Sequence, residues 1–316
     1  MRLGIRKWLR YGISLSLAVG VLAVLMGRQR WGDLSGGAGW RWLTGAGVLS
    51  LVYWFIRVAR WRWMLAMEGR SIGWGRAWVS MLAGLGVGLV TPIRSGEIVR
   101  PLFVPQGPRV RLVGWIVIER MFDLSAVLTL GILGVFYMVF SGALLASGAS
   151  APPWVLLGAP MLLACTLGVP MLVHFRPKGL WRILARVLPG RAKQLAEARL
   201  TWRQFGIFYV VSLVAEALCL LSVFLCFSSQ GRISLIIATA LLPVVVLGNL
   251  LPAGPGGFGI REGTAALVLG AFGFSEPMVL ASYLFQTLIV LVIPAVVGVV
   301  AAWIVETTKT TPQSVA

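Results

Sequence analysis

Long apolar runs separated by short polar connections follow one another along most of this chain. Several of them approach or exceed the roughly 20 residues that an α-helix needs to cross a bilayer. They cover residues 13–26, 42–56, 78–90, 112–140, 154–175, 205–227, 233–250, 259–274 and 277–305. The pattern predicts an all-α polytopic membrane protein in which residues 1–316 form a single integral membrane domain.

The composition agrees with a membrane location and shows that the charge of the polar connections is mainly positive. Hydrophobic residues make up 58% and charged residues 12% of the 316 residues, whereas a soluble chain carries roughly 25% charge. The 28 lysines and arginines exceed the 10 acids and give a net charge of +18. Because basic residues flank apolar spans, the partner expected for this charge is an anionic leaflet and not nucleic acid.

The histidine and the cysteines do not indicate a metal site, because they are few and the cysteines lie in apolar surroundings. His174 is the single histidine of the sequence, and Cys165, Cys219 and Cys226 all fall inside apolar runs. Cysteines in such runs are typical of small core residues. We therefore expect no metal and no cofactor.

The distribution of basic residues predicts the orientation in the membrane. One side collects the N-terminus, 57–76, 109–111, 176–203 and Lys309, while the other holds Arg28, Arg30, Arg41 and Arg232. By the positive-inside rule the first side is cytoplasmic. The first apolar run is interpreted as an uncleaved helix, because residues 27–30 lack a small-residue cleavage pattern. This gives a multi-pass protein of the inner (cytoplasmic) cell membrane with both termini cytoplasmic.

If this orientation is right, two of the apolar segments cannot cross the membrane. Residues 57–76 and 109–111 are both inside, so 78–90 has to turn at Thr91–Pro92 and return through 95–104. By the same reasoning 233–250 turns after Leu251 and returns through 259–274. The residues expected to form the backbone hinges are Pro92, Gly96, Pro252, Pro255, Gly256, Gly257 and Gly259.

About six full spans and two re-entrant helical hairpins result, and the two halves match. Each half, 1–150 and 151–316, is predicted to contain two helices, a broken hairpin and a further helix. The first half starts on the inner side of the membrane and the second on the outer side. Paired Gly/Pro-interrupted segments of this kind indicate an inverted-repeat transporter with a midplane site. The connection 176–203 between the halves partitions arginines and aliphatic residues at helical spacing, so we expect it to lie flat on the anionic leaflet.

Ionisable residues fall at membrane depth around both hairpins. An isolated charge at a helix centre costs about 2.5–3.5 kcal/mol, so these residues have to face one another or water. Arg94, Glu97 and Arg100 recur every three residues, and Glu119 and Asp123 are four apart, which places each set on one helical face. The candidate substrate-binding residues are Arg94, Glu97, Arg100, Glu119, Arg120, Asp123, Arg261 and Glu262. Glu216, alone in an apolar span, is a weaker candidate for protonation.

Three interpretations of this network stay open on the residues alone. The arginines can hold an anionic phosphate head group while the carboxylates orient them, since a guanidinium fork suits phosphate. Mutual ion pairs can instead lock the hairpins to the helix that follows, with nothing bound. Finally, Glu97 or Glu262 can couple a cation or a proton to transport.

Three motifs in the expected order carry a family resemblance. Residues 91–100 resemble the T-P-x-R-x-G-E-x-x-R element of the lysylphosphatidylglycerol synthase transmembrane-region family, also called flippase-like. Residues 119–123 are similar to its E-R-x-x-D element. Pro252 with 255–263 resembles its P-G-G-x-G-x-R-E-G element. Together with the surrounding helices they cover nearly the whole chain.

The resemblance implies an integral inner-membrane protein that moves lipids between leaflets. In some members this region is fused to a soluble synthase domain, for which this sequence has no counterpart, so we expect a translocase and no enzyme activity. The expected ligand is a lipid with an anionic head group or a polyprenyl phosphate, and a homo-oligomer is left open. The alternatives are a membrane-embedded transferase acting on lipid phosphates and a non-transporting partner of a lipid-modifying enzyme.

Overall fold

The computed structural model describes residues 38–89, 91–104, 109–140, 200–231, 233–239, 260–270 and 272–310. All regular structure within these ranges is helical. The elements are α1 (Ala38–Met67), α2 (Trp74–Leu89), a 3₁₀ segment (Pro92–Phe103), α3 (Arg109–Phe140), α4 (Trp202–Gln230), α5 (Ile260–Gly270), α6 (Glu276–Thr287), a π segment (Leu288–Val292) and α7 (Ile293–Thr310). The predicted spans 13–26 and 154–175, the hinge residues 252–259 and nearly all of 176–203 lie outside the described residues.

Three of the described helices are long and apolar enough to cross a membrane. They are Gly39–Met67, Trp202–Gln230 and the continuous run Glu276–Val305, which spans α6, the π segment and part of α7. The predicted span 112–140 falls within α3, which has 32 residues. Membership of the all-helical membrane class is therefore confirmed for this part of the chain.

Helix α1 differs from the prediction at its C-terminal end. The sequence pattern ended the span at residue 56, but the helix continues without a break to Met67. Residues 57–67 contain no glycine or proline, so nothing in the backbone stops the helix there. As a consequence Arg57 and Arg60, which were assigned to a cytoplasmic connection, are buried inside the protein.

The hairpin predicted at Thr91–Pro92 is present. Ser80 Oγ donates to the carbonyl oxygen of Arg100 at 2.9 Å, and the backbone N–H of Gly96 donates to Thr91 Oγ1 at 2.7 Å. The 3₁₀ segment thus runs back along α2. A Cβ at Gly96 would lie 2.5 Å from the carbonyl carbon of Val87, so this close approach of two backbones requires glycine. Helix α2 has 16 residues, about 24 Å at 1.5 Å per residue, which is shorter than a bilayer core of about 30 Å.

Helix α5 is also shorter than its predicted segment. It ends at Gly270 after 11 residues, where 259–274 was expected. The chain turns at Gly273, whose φ of +82° is a left-handed conformation that favours glycine. At about 1.5 Å per residue α5 spans roughly 16 Å and is too short to cross a bilayer.

The π segment inside the last long helix has an identifiable cause. Pro294 has no backbone N–H, so it cannot donate to the carbonyl of Val290 four residues earlier. Trp54 Nε1 of α1 donates to that carbonyl oxygen at 2.9 Å. Ser50 Oγ donates to the neighbouring carbonyl of Ile289 at 3.2 Å. Side chains of α1 thus satisfy backbone acceptors that the irregular helix leaves open.

Two glycines bring α7 and α2 into close contact. A Cβ at Gly298 would lie 2.3 Å from the carbonyl carbon of Leu82, and one at Gly86 would lie 2.5 Å from Val299 Cγ2. Small residues at such positions let helix backbones approach each other, which is the common packing device in membranes. We call this contact the glycine seam.

Candidate functional site

A cluster of ion-paired residues lies between α1, the 3₁₀ segment, α3 and α4. It joins four arginines to four carboxylates among the described residues, so its formal charge is balanced. Its members are Arg57, Arg60, Arg100, Arg120, Glu97, Glu119, Asp123 and Glu216. We call it the charged cluster. All of its members except Arg120 are buried.

Helix α1 supplies two of the arginines, three residues apart and therefore on one face. Arg60 Nη2 lies 2.7 Å from Glu119 Oε1 and its Nη1 lies 2.7 Å from Asp123 Oδ1. Arg57 Nη2 lies 3.2 Å from Glu119 Oε1 and 3.0 Å from Asp123 Oδ2. Arg57 Nη1 also donates to the hydroxyl of Tyr53 at 2.6 Å. Both arginines were missed by the sequence-based prediction of the site.

Glu119 is the hub of the charged cluster. Its Oε1 accepts from Arg57 and Arg60, and its Oε2 accepts from Arg100 Nη1 at 2.8 Å. The side chain is 0% exposed. A carboxylate in this position is stabilised only while its basic partners stay in place, because desolvation strongly disfavours an unpaired charge.

The 3₁₀ segment contributes Glu97 and Arg100. A 3₁₀ helix has three residues per turn, so residues three apart eclipse one another, and the two side chains form an ion pair. The stem of Arg100 passes over Gly84 of α2, where an added Cβ would lie 2.4 Å from Arg100 Cγ. The absence of a side chain at Gly84 thus makes room for a fully buried arginine.

Arg120 forms the edge of the charged cluster. It is ion-paired with Glu97, and its Nη1 lies 3.7 Å from Asp123 Oδ2. Its side chain is 36% exposed, in contrast to its buried neighbours. Val117, one turn earlier on α3, and Ile98, next to Glu97, are exposed apolar residues. The surface around the open edge is therefore apolar on both elements.

The positions along the helices place the charged cluster far from the nearest helix ends. Asp123 lies fourteen residues after the start of α3 and Glu216 fourteen after the start of α4. Arg57 lies ten residues before the end of α1. At 1.5 Å per residue these separations are about 21, 21 and 15 Å. Pairs such as Arg60–Ser212, at 2.6 Å, place the end of α1 beside the starts of the other two helices.

Glu216 joins the charged cluster from α4. Its Oε1 lies 3.8 Å from Arg57 Nη1. The sequence-based interpretation treated Glu216 as a lone acid in an apolar span, but the structure gives it a basic neighbour on α1. Its proximity to Arg57 makes it a member of the ion-pair network.

A second, smaller set of polar contacts ties the end of α1 to the start of α3. Trp115 Nε1 donates to Glu68 Oε1 at 2.7 Å, and Arg111 Nε lies 2.7 Å from Glu68 Oε2. Arg111 is 34% exposed. Glu68 and Arg111 thus form a carboxylate–arginine pair on the same two helices, about two turns or more from the charged cluster, which makes them useful as controls.

The structure brings together five of the eight predicted site residues. Glu97, Arg100, Glu119, Arg120 and Asp123 meet in the charged cluster. Glu262 is buried on α5 and accepts from Thr287 Oγ1 at 3.4 Å. The backbone of Arg94 lies in the 3₁₀ segment and that of Arg261 in α5, but neither side chain is among those described. The predicted meeting of the two hairpins at these arginines stays a prediction.

The carboxylates of the described residues do not form a metal centre. No group of three histidine, cysteine, aspartate or glutamate side chains within the described ranges could hold a metal ion. Cys219 and Cys226 lie on α4 and form no disulfide among the described residues. Guanidinium nitrogens lie within 3.2 Å of the carboxylate oxygens of Glu119 and Asp123, and their positive charge would repel a cation there.

Comparison with known proteins extends the similarity beyond the short motifs. The family model described as the lysylphosphatidylglycerol synthase TM region matches residues 8–298. A search of curated proteins gave no match. The family match includes every member of the charged cluster and reaches into α7.

Proposed function

This chain belongs to the lysylphosphatidylglycerol synthase transmembrane-region family, a family of membrane proteins related to lipid handling, and on that premise we propose that it is a lipid translocase. It would move a lipid with an anionic, phosphate-bearing head group between the leaflets of the inner membrane. The head group would pass the charged cluster while the acyl chains remain in the surrounding lipid. No covalent change of the lipid is part of this function.

The observation that carries the proposal is the position of Arg120. A guanidinium that is 36% exposed stands at the edge of a buried, charge-balanced cluster, and the side chains beside it are exposed and apolar. A charged group at membrane depth is costly unless it serves a pathway or a ligand. Arginine binds phosphate through two parallel N–H donors, which suits a lipid phosphodiester.

The experiment is leaflet exchange in proteoliposomes. Purified protein is reconstituted with a trace of fluorescent phosphatidylglycerol, and a membrane-impermeant reductant added outside reports the fraction of label that becomes accessible. We expect wild-type protein to expose the inner-leaflet label faster than protein-free vesicles. Arg120→Gln should reduce the rate at least tenfold, because it removes the charge that meets the phosphate. A wild-type rate equal to that of empty vesicles would refute translocation of this lipid.

Arg111→Gln is the matched control for this variant. Arg111 lies on the same helix, has a similarly exposed side chain and also pairs with a glutamate. It stands outside the charged cluster, so its substitution should leave the exchange rate within about twofold of wild type. An equal loss in both variants would indicate a general effect on folding or orientation and would argue against a specific role of Arg120.

Two alternative functions make different predictions in the same vesicles. A transferase acting on lipid phosphates would change the mass of the lipid, which mass spectrometry of the extracted lipids detects. A non-transporting structural partner would tolerate Arg120→Gln without functional loss as long as the protein folds. The extensive mutual pairing of Arg57, Arg60 and Glu119 favours a structural role for the buried part of the cluster, and for this reason the test is placed at its exposed edge.

The proposal also covers the orientation of the protein, its contact with the leaflet and its energy source. The basic connection 176–203 would rest on the anionic cytoplasmic leaflet, and both termini would lie in the cytoplasm. Energy would come from the lipid gradient or from an ion gradient. The protein would act alone or as a homo-oligomer, without nucleic acid.

A further inference from the structure

Glu97 holds a position that an anion would occupy. It receives a hydrogen bond from Arg100 and one from Arg120, both through Oε2. A single acidic oxygen between two guanidinium groups is also the arrangement in which proteins bind phosphate oxygens. We call the two arginines the anion seat.

The two arginines of the anion seat still have acidic partners if Glu97 moves away from them. Arg100 Nη1 remains 2.8 Å from Glu119 Oε2, and Arg120 Nη1 has Asp123 Oδ2 at 3.7 Å. The Nε of Arg100 is buried and meets no hydrogen-bond acceptor among the described residues. An incoming anion would thus find two charged partners and a spare donor without dismantling the rest of the charged cluster.

The exposed side of the anion seat has apolar residues next to it. Arg100 is fully buried, so access is from the side of Arg120. Exposed Ile98 and Val117 flank this side, and exposed Leu102 continues the apolar surface along the 3₁₀ segment. A ligand that reaches Arg120 along such a surface needs apolar chains as well as an anionic group.

We propose that Glu97 is an internal occupant of this anion seat and that the phosphodiester of an anionic lipid displaces it during transfer. This rests on the proposed function and names its substrate class. Exchanging one monoanion for another keeps the buried charge of the cluster balanced, whereas a dianion or a neutral head group would not. The favoured substrate is therefore a lipid with a singly charged phosphodiester.

The test measures lipid affinity with the full chain in nanodiscs of phosphatidylcholine. Fluorescent phosphatidylglycerol is titrated, with diacylglycerol as a lipid lacking phosphate and inorganic phosphate as a soluble anion. Because Glu97→Gln removes the competing charge, it should lower the Kd for phosphatidylglycerol about tenfold. The same variant should leave diacylglycerol binding unchanged, and inorganic phosphate should compete weakly in all proteins. Unchanged or weaker phosphatidylglycerol binding by folded Glu97→Gln would overturn the proposal, and strong competition by inorganic phosphate would overturn its restriction to lipids.

Glu68→Gln is the matched control, since Glu68 also accepts from an arginine and a tryptophan on α3 but lies outside the anion seat. Its Kd for phosphatidylglycerol should equal that of wild type. A tenfold gain in both variants would reflect net charge alone and would overturn the assignment to Glu97.

Hydrogen–deuterium exchange of the wild-type protein tests the displacement without any substitution. Phosphatidylglycerol should speed the exchange of amides in 92–103, because release of Glu97 removes one of the contacts that hold this segment to α3, the pair with Arg120. Diacylglycerol should have no such effect, and equal exchange with both lipids would overturn displacement.

The anion seat and the translocase function can fail separately. If wild-type protein fails to move lipid but Glu97→Gln binds phosphatidylglycerol more tightly, the anion seat stands and the translocase function falls. If wild-type protein moves lipid but Glu97→Gln has no effect on binding, the translocase function stands and the anion seat falls.

Discussion

Arg60 and Glu119 are both completely buried and lie 2.7 Å apart, which joins α1 to α3 deep in the apolar part of the protein. The pair does not stand alone, since Arg57 and Arg100 reach the same carboxylate. Removing one member of a buried pair leaves a charge without compensation, which costs about 3–5 kcal/mol. Stability should therefore depend more on Glu119 than on any other acid of the charged cluster.

The first prediction is that Glu119→Gln strongly lowers the thermal stability of the protein in detergent. The neutral amide cannot balance three guanidinium groups, so we expect a destabilisation of roughly 3–5 kcal/mol. Glu68→Gln should cost less, because Arg111 is partly exposed and water can solvate it. Comparable losses of thermal stability in the two variants would contradict the assignment of Glu119 as the hub.

The second prediction concerns the hydrogen bond between Trp54 and the carbonyl of Val290. Trp54→Phe leaves that buried acceptor without a donor and should destabilise the protein by about 1–3 kcal/mol. Pro294→Ala supplies a backbone N–H that can serve the same carbonyl in a regular helix. The loss caused by Trp54→Phe should be smaller in the Pro294→Ala background.

A double-mutant cycle on these two positions gives the coupling directly. We expect an interaction energy of about 0.5–3 kcal/mol, the usual range for residues that share a contact. Additive effects in thermal unfolding would mean that the proline is not the reason for the tryptophan contact.

The third prediction tests the glycine seam. Gly298→Ala places a methyl group 2.3 Å from the backbone of Leu82, so α7 and α2 have to separate, at a cost of about 1–3 kcal/mol or more. Gly47→Ala is the control within a long helix, because a Cβ at Gly47 meets nothing within 4 Å. Thermal stability in detergent should fall for the first variant and stay near wild type for the second.

The fourth prediction concerns orientation in the membrane. Ser71 and Ser234 are exposed residues in connections that the distribution of basic residues places on opposite sides. In a background without Cys165, Cys219 and Cys226, an impermeant maleimide should label Ser234→Cys in intact cells. Ser71→Cys should react only after the membrane is opened. Labelling of both from outside would refute the predicted topology.

The sequence predicted the first hairpin because charge and length constrained it together. Basic residues on both flanks of one apolar run required the chain to return, and Thr91–Pro92 with Gly96 offered the place to turn. The spacing of Glu97 and Arg100 by three residues also matched the segment that formed, since a 3₁₀ helix repeats every three residues. Local chemistry was sufficient at this point.

Arg57 and Arg60 were missed because the positive-inside rule counts every base near the end of an apolar run as part of a loop. The rule carries no information on whether a helix continues past the run. A usable signal was present: Tyr53, Arg57 and Arg60 are spaced for one helical face, and residues 57–67 contain no helix breaker. The predicted site already balanced four arginines against four acids, so Glu216 was a further acid for which it offered no base.

The π segment could not be predicted from its own residues. Pro294 is compatible with several outcomes, because a proline in a membrane helix can produce a kink, a bulge or a regular helix with a solvated carbonyl. The outcome was decided by Ser50 and Trp54, about 240 positions earlier in the chain, whose side chains reach the carbonyls of Ile289 and Val290. Such long-range partners are set by tertiary packing and not by local pattern.

The glycine seam restricts how this protein can change shape. With the backbones of α2 and α7 in contact at Gly86 and Gly298, sliding them apart would expose bare main chain and leave no side chains to fill the gap. Helix α2, the first arm of the hairpin that carries Glu97, is therefore packed directly against the C-terminal helix. A motion of residues 1–150 against 151–316 would have to separate this contact. An opening that preserves the contact would therefore divide the described part of the molecule along a boundary different from the one between the two sequence halves.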